Sequence, residues 1–299
     1  MFDFFNRLFP DKKEGDKKVD DKTVPLEKYQ IPKGKKSSTS ARYQIASCQS
    51  PGKERYHNED ALFTLSSELF GVDSPVYLGI FLVADGMGGH QSGEVASKLA
   101  AQATSRELLD HLLGPTIYEG DLKSEDEIIK LVTDAVSKAQ ALIHRQVPGG
   151  GTTLTLALAV DDQIYSAHVG DSRMYLVDKA GRLTVKTRDH SLVKRLVDLG
   201  EISPDEARSH PQRNVLYRAL GQEDPLEPDL DQFSLDLGER MMICSDGLWG
   251  VLEKNQMESI LKRGQPLQKI ACELVNAAND AGGPDNISVI LIERLSLSV

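Results

Sequence analysis

Between Tyr43 and Glu293 the chain is a succession of short apolar runs rich in β-branched and aromatic residues: YQIASCQ, ALFTL, VYLGIFLVAD, TLTLALAV, IYSAHVG, RMYLVD, RLTVKT, DQFSL, RMMICSD and ISVILIE. Several follow one another across short turns such as DDQ at 161–163 and KAG at 179–181. Connections this short join neighbouring strands antiparallel, because a parallel pair needs a crossover of a dozen residues or more. Helical spacing interrupts the series. Val95, Leu99 and Ala103, then Leu109, Leu112 and Leu113, mark one helical segment. Ile128, Leu131, Val132, Ala135, Val136, Ala139 and Leu142 mark a second, which Ser124 and Glu127 introduce at capping-box spacing; a third lies over Leu267–Ala278. One-sided helices must cover something, and antiparallel strands are what is available, so the fold class is α+β.

A single domain over residues 41–299 accounts for this dense pattern. Residues 11–40 are rich in Lys, Asp, Ser and Gly with few large apolar side chains, so burial there cannot offset ordering entropy, and residues 1–40 read as a flexible tail. At its start Phe2, Phe4, Phe5, Leu8 and Phe9 leave two readings open: a frayed terminus, or a short amphipathic turn that touches a partner or a membrane surface. No apolar run approaches the roughly 20 residues that span a bilayer. The opening MFDFFNRLFPDKK carries Asp3 and lacks a small-residue cleavage site, unlike a secretory signal. A net charge of -10 speaks against nucleic acid as a partner. Cys48, Cys244 and Cys272 are widely spaced with no CxxC pair, which suggests neither a disulfide framework nor a zinc ribbon and fits a reducing cytoplasm.

Several of the apolar runs stop at an aspartate beside Gly, Ser or Asn. Asp85 follows FLVA, Asp171 follows AHVG, Asp246 follows MMICS, Asp285 precedes NISVILIE, and Asp60 abuts the front of ALFTL. Any one of these is an ordinary turn residue. Together, at strand ends that a packed sheet brings near one another, they would repel and so call for a cation. The donors are hard oxygens without thiols or a histidine pair, which selects Mg2+ or Mn2+ over zinc or copper. Two such ions can activate water and hold a phosphoryl group for in-line attack.

In this order, RYHNEDALF, VADGMGGHQSGEVAS, GGGTTLTLALAV, HVGDSRMYLVD, TRDHSLV, LYRALG, MMICSDGLWGVL and GGPDNISVILIE resemble the successive motifs of the metal-dependent, type 2C serine/threonine phosphatases. DGMGGH in place of DGHGG is similar to the bacterial branch, and the resemblance covers residues 43–294. It implies a central β-sandwich of two antiparallel sheets flanked by helices in α-β-β-α layers, with a helical flap over 191–221 beside the active site. It implies Mg2+- or Mn2+-dependent hydrolysis of phosphoserine and phosphothreonine in proteins by a metal-bridged water, without a phospho-enzyme. The expected setting is a cytoplasmic monomer whose substrates are phosphoproteins made by a serine/threonine kinase.

The same resemblance assigns residues. Asp60, Asp85 with the carbonyl of Gly86, Asp246 and Asp285 would hold two core ions, and Asp171 with Asp246 a third, weaker one. Glu59 would position water and Arg55 would clamp the substrate phosphate. His90 either protonates the leaving alkoxide or caps the following helix, since Met87 stands where animal members carry histidine. Arg173, Asp189 and His190 are expected to stabilise the fold or a loop, and Trp249 to lie in the core. Two other readings are a catalytically inactive binding module on the same fold, which should have lost metal carboxylates, and a hydrolase of small phosphoesters.

Overall fold

The computed structural model describes residues 41–69, 76–88, 91–119, 123–222 and 226–296. The expected tail over 1–40, its Phe-rich start and His90 lie outside these. The run VYLGIFLVA (76–84) is buried along almost its whole length. A strand apolar on both faces needs cover on both, and the architecture follows from supplying it.

In chain order the elements begin with β1 (Ala41–Ser50), β2 (Ala61–Leu69), β3 (Val76–Ala84) and a short β4 (Gly86–Met87). Helix α1 (Gln91–Leu108) runs through a π-helical turn (Leu109–Leu113) into α2 (Gly114–Glu119), and α3 (Glu125–Gln146) follows. Next come β5 (Gly151–Thr152), β6 (Leu154–Val160), β7 (Gln163–Val169), β8 (Arg173–Val177) and β9 (Leu183–Val185), then α4 (Leu192–Asp198) and α5 (Pro204–Ser209). The chain ends with β10 (Asp229–Ser234), β11 (Arg240–Cys244), α6 (Asp246–Trp249), α7 (Lys254–Leu261), α8 (Leu267–Asp280) and β12 (Ile287–Ser296). One five-stranded sheet has the order β1-β12-β11-β8-β9, the other β10-β7-β6-β3-β2, and all their pairs are antiparallel.

Alternation along β3 shows how the layers form. Tyr77, Phe81 and Val83 point into the space between the sheets and meet Ile164, Met174, Met241, Ile243, Ile290 and Ile292. Leu78, Ile80, Leu82 and Ala84 point the other way, onto Ala96, Ala100, Val132 and Ala139 of α1 and α3. The outer face of the first sheet, with Met242, Val289 and Leu291, is covered by Met257, Ile260, Ile270 and Leu274 of α7 and α8. These are the expected α-β-β-α layers. At the start of α3 the Ser124 backbone N–H donates to Glu127 Oε2 at 2.9 Å, as the capping-box spacing implies.

Some features depart from expectation. The first helical segment does not run evenly to Leu113 but widens into a π turn at 109–113, where Leu112 stays buried. Helix α7 goes beyond the helices expected, although Met257, Ile260 and Leu261 stand at helical spacing and are buried. The flap over 191–221 is helical only in α4 and α5; Pro204 starts α5, and the chain beyond His210 is held by turns. Cys48 on β1 and Cys272 on α8 meet as free thiols despite their separation in sequence. Burial first, and then the hydrogen bond with Cys272, push the Cys48 thiol up to about 12. Among the described residues no helix is long and apolar enough to cross a membrane.

Phe81 is fully buried at the centre of the sandwich. Phe81→Ala is expected to lower unfolding free energy by about 3–5 kcal/mol, measured by urea denaturation against the unsubstituted protein.

Candidate active site

Strand register places the site. Ala61 pairs with Ala84, so Asp60 and Asp85 are the next residues out at the same end of the sheet. Val83 pairs with Thr155, and the Asp85 strand end is fastened to Thr153, whose N–H donates to the Asp85 carbonyl while the Asp85 N–H donates to Thr153 Oγ1, both at 2.9 Å. Leu154 pairs with Val169, which carries Asp171 two residues on toward that end. In the other sheet Cys244 pairs with both Arg173 and Val289, so Asp246 and Asp285 emerge beside them. Face-to-face packing then makes these ends one site.

The two sheets are bonded to each other there. Asp60 Oδ2 accepts from Ser245 Oγ at 2.8 Å and from Ser288 Oγ at 2.6 Å, both on the opposite sheet. Its Oδ1 is buried with no hydrogen-bond partner. Burial first, then the charges of Asp246 and Asp285, push the Asp60 carboxyl up to about 7, against the pull of the two serine hydroxyls. Burial and the Asp285 charge push Asp246 up to about 6, and the Asp85 and Asp246 carboxyl groups hydrogen-bond to each other. Asp85 is also pushed well up, by burial and then by Asp60, Asp246, Asp171 and Asp285. For Asp171 the causes are burial, then Asp246 and Asp189. Asp60, Asp85, Asp171 and Asp246 thus each register neighbouring aspartates as negative charge.

Glycines let the backbone crowd in. A Cβ on Gly86 would lie 2.3 Å from the Gly93 carbonyl oxygen, and one on Gly93 would lie 2.4 Å from Glu59 Oε2. Only glycine at both positions allows the β3 end, the start of α1 and Glu59 to share this space. Arg55 lies at the mouth, with half its side chain exposed, and Nη2 donates to Asp285 Oδ2 at 2.9 Å.

Ser245, Ser288, Asn286 and Gly93 are functional neighbours that the sequence reading missed. Asn286 ties the Arg55 loop to the Asp285 turn: its Oδ1 accepts from the Glu59 N–H at 2.7 Å, and Nδ2 donates to the carbonyls of Pro51 at 2.9 Å and His57 at 2.8 Å. The available signal was a lone serine inside each of the apolar runs MMICSD and ISVILIE.

Trp249 corrects an expectation. It is half-buried and packs only against the edge of the core under α7 and α8, while its indole N–H donates to the Asp171 carbonyl at 3.0 Å and the Arg173 guanidinium lies 3.5 Å from the ring centroid. Arg173 forks onto Asp189 at 2.9 and 2.7 Å. The next residue, His190, is buried against Gly170, His168 and Asp229. Burial, then His190, lowers His168 to about 4, so its ring is neutral and bonds to Thr155 at 2.9 Å. These contacts brace the loop that leads into the flap.

Among the described residues no three His, Cys, Asp or Glu side chains close into a ready-made metal cage. Hard cations that keep several waters of their own do not need one. The unpartnered Asp60 oxygen, the mutual repulsion and the all-oxygen donor set fit Mg2+ or Mn2+.

The sequence model for protein phosphatase 2C matches residues 53–291, which contain Arg55 and every one of these aspartates. The chain belongs to the protein phosphatase 2C family. This type 2C phosphatase is 37% identical over 243 residues to the serine/threonine phosphatase stp of Listeria welshimeri, covering 81% of this chain and 92% of that one. The crystal structure of the Mycobacterium tuberculosis serine/threonine phosphatase PstP/Ppp superposes with a TM-score of 0.70 at 32% identity, over 84% of this chain and 98% of that one. The PstP catalytic domain solved with two manganese ions superposes at 0.69 and 31% identity, over 86% of this chain and all of that one. The chain is a Mg2+/Mn2+-dependent protein serine/threonine phosphatase of the bacterial type.

The raised carboxyl pKa values give a pH test. Burial and the neighbouring aspartates raise the Asp60 and Asp246 carboxyl groups to about 7 and about 6, so a cation taken up there would have to displace their protons. A group whose folded pKa is raised destabilises the metal-free fold as pH climbs above its unfolded value. The rise in melting temperature on adding Mn2+ is therefore expected to be larger at pH 7.5 than at pH 5.0, as read by thermal unfolding with and without EDTA; equal shifts would refute the raised values.

Proposed function

We propose that the carboxylate end of the sandwich is the catalytic centre of this phosphatase, with Asp60, Asp85, the Gly86 carbonyl, Asp246 and Asp285 holding two core ions and Asp171 with Asp246 holding a third. The observation that carries this is the buried, unpartnered Asp60 Oδ1 in a pocket it shares with Asp85, Asp246 and Asp285. When bound, the ions supply positive charge and an activated water. The side chains supply the rest. Arg55 presents a planar fork to the phosphate oxygens and is kept at the mouth by Asp285. Glu59, set against the Gly86–Gly93 crossing, orients water. Hydrolysis breaks the bond from phosphorus to the serine or threonine oxygen, and that alkoxide takes up a proton. Either His90 donates that proton or it only caps the following helix.

The substrates are phosphoproteins, and we assign them to a serine/threonine kinase acting in the same cytoplasm. We take residues 41–299 as a monomeric phosphatase domain and residues 1–40 as a flexible tail whose Phe-rich start either frays or touches a partner or membrane surface. An inactive module is disfavoured because every carboxylate of the pocket is retained.

Phosphate release from a phosphothreonine peptide is expected with Mn2+ and not with EDTA. Asp246→Asn is expected to lower it by at least about 100-fold with an unchanged circular dichroism spectrum; full activity would remove the site assignment. Arg55→Ala is expected to raise KM about tenfold with a smaller change in kcat, because the clamp binds phosphate in ground and transition states alike. Steady-state kinetics on the same peptide check it.

A further inference from the structure

Tyr56 is 95% exposed, directly after Arg55. A lone exposed aromatic is ordinary on a mobile loop, but this loop is fastened on both sides of it. The N–H groups of Lys53 and Glu54 donate to the Gly283 carbonyl at 2.7 and 3.3 Å. Beyond Tyr56, the His57 carbonyl is held by Asn286 at 2.8 Å. The ring is thus offered to solvent from backbone bonded to the turn that carries Asp285. Nearby, Glu94 in the first turn of α1 lies within electrostatic reach of His57, and the next residue, Val95, is 46% exposed.

Consecutive residues of a chain stand about 3.8 Å apart. Arg55 and Tyr56 are consecutive, so a residue next to one whose phosphate meets Arg55 is within reach of the Tyr56 ring. A net charge of -10 disfavours acidic flanks at long range, and the flat ring offers apolar area at little entropic cost.

We propose that Tyr56 is a specificity-determining residue of this phosphatase, packing against an apolar side chain adjacent to the phosphorylated serine or threonine of the protein substrate. The proposal rests on the reading of Arg55 as the phosphate clamp.

Three substrates separate the possibilities, with Mn2+ and the full chain: p-nitrophenyl phosphate, a phosphothreonine peptide with glycine neighbours, and the same peptide with leucine neighbours. In Tyr56→Ala, kcat/KM for the leucine-flanked peptide is expected to fall about fivefold further than for the other two, through KM. Tyr56→Phe, which keeps the ring, is expected to restore the ratio. Loss shared equally by all three substrates, or no loss on the leucine-flanked peptide, overturns the proposal. Arg55→Ala run alongside is expected to weaken all three; if it weakens none, the clamp reading fails, and the Tyr56 ratio is still read on its own. Matched melting curves for both Tyr56 variants ensure that the ratio reports contact and not unfolding.

Discussion

Carboxylates crowded into a low-dielectric pocket repel one another, and the fold must hold them together before any cation does. Asp85 is raised by burial and by four other aspartates at once, a burden that an isolated loop could not carry. Here the restraint is mechanical. Asp60 is bonded across the sandwich to Ser245 and Ser288, and the sheets are locked by the interlayer core around Phe81, Met241 and Ile290. The hydrophobic effect, which has no interest in charge, fixes the spacing of groups that would otherwise move apart. The strain this leaves at the pocket is what a bound hard cation would relieve.

Polarity is graded outward from that point. Asp60 is buried, with hydroxyls on one oxygen and nothing on the other. Asp285 lies further out and is shared with Arg55, which is half in water. Tyr56 is wholly outside. Asn286 connects the levels by bonding Glu59, Pro51 and His57 at once, so the loop that presents Arg55 is set by the same turn that sets Asp285. A substrate would thus meet side chains whose positions are settled before it arrives, which reduces the ordering cost of binding.

The flap is coupled to the pocket through neighbours of Asp171. Trp249 bonds the Asp171 carbonyl, Arg173 lies on the Trp249 ring and forks onto Asp189, and His190, just before the flap, bonds to Gly170 and Asp229. Arg218 bonds the same Asp229 at 2.8 Å and returns the far end of the flap to this point. Both ends of the flap are therefore anchored, while Leu199 between them stays exposed.

Much of this was legible in the residues. Short apolar runs, short turns and helical spacing determined an antiparallel α+β fold, although the DDQ and KAG turns proved to be two and five residues long. The aspartates at strand ends could be named from the residues alone, because residue type and strand ends are local, and the fold does gather them. What the sequence by itself could not contain was reach between strands of different sheets. Ser245 and Ser288 are unremarkable serines until packing brings them to Asp60, and Asn286 is a turn residue until it is found bonding three segments. Trp249 looked like core and is a partner of Asp171, and Cys48 and Cys272 looked isolated and touch. Side-chain type and short spacing are written along the chain; contacts between residues some 185 or 228 positions apart exist only once two sheets close face to face, and tertiary packing alone decides which groups then meet.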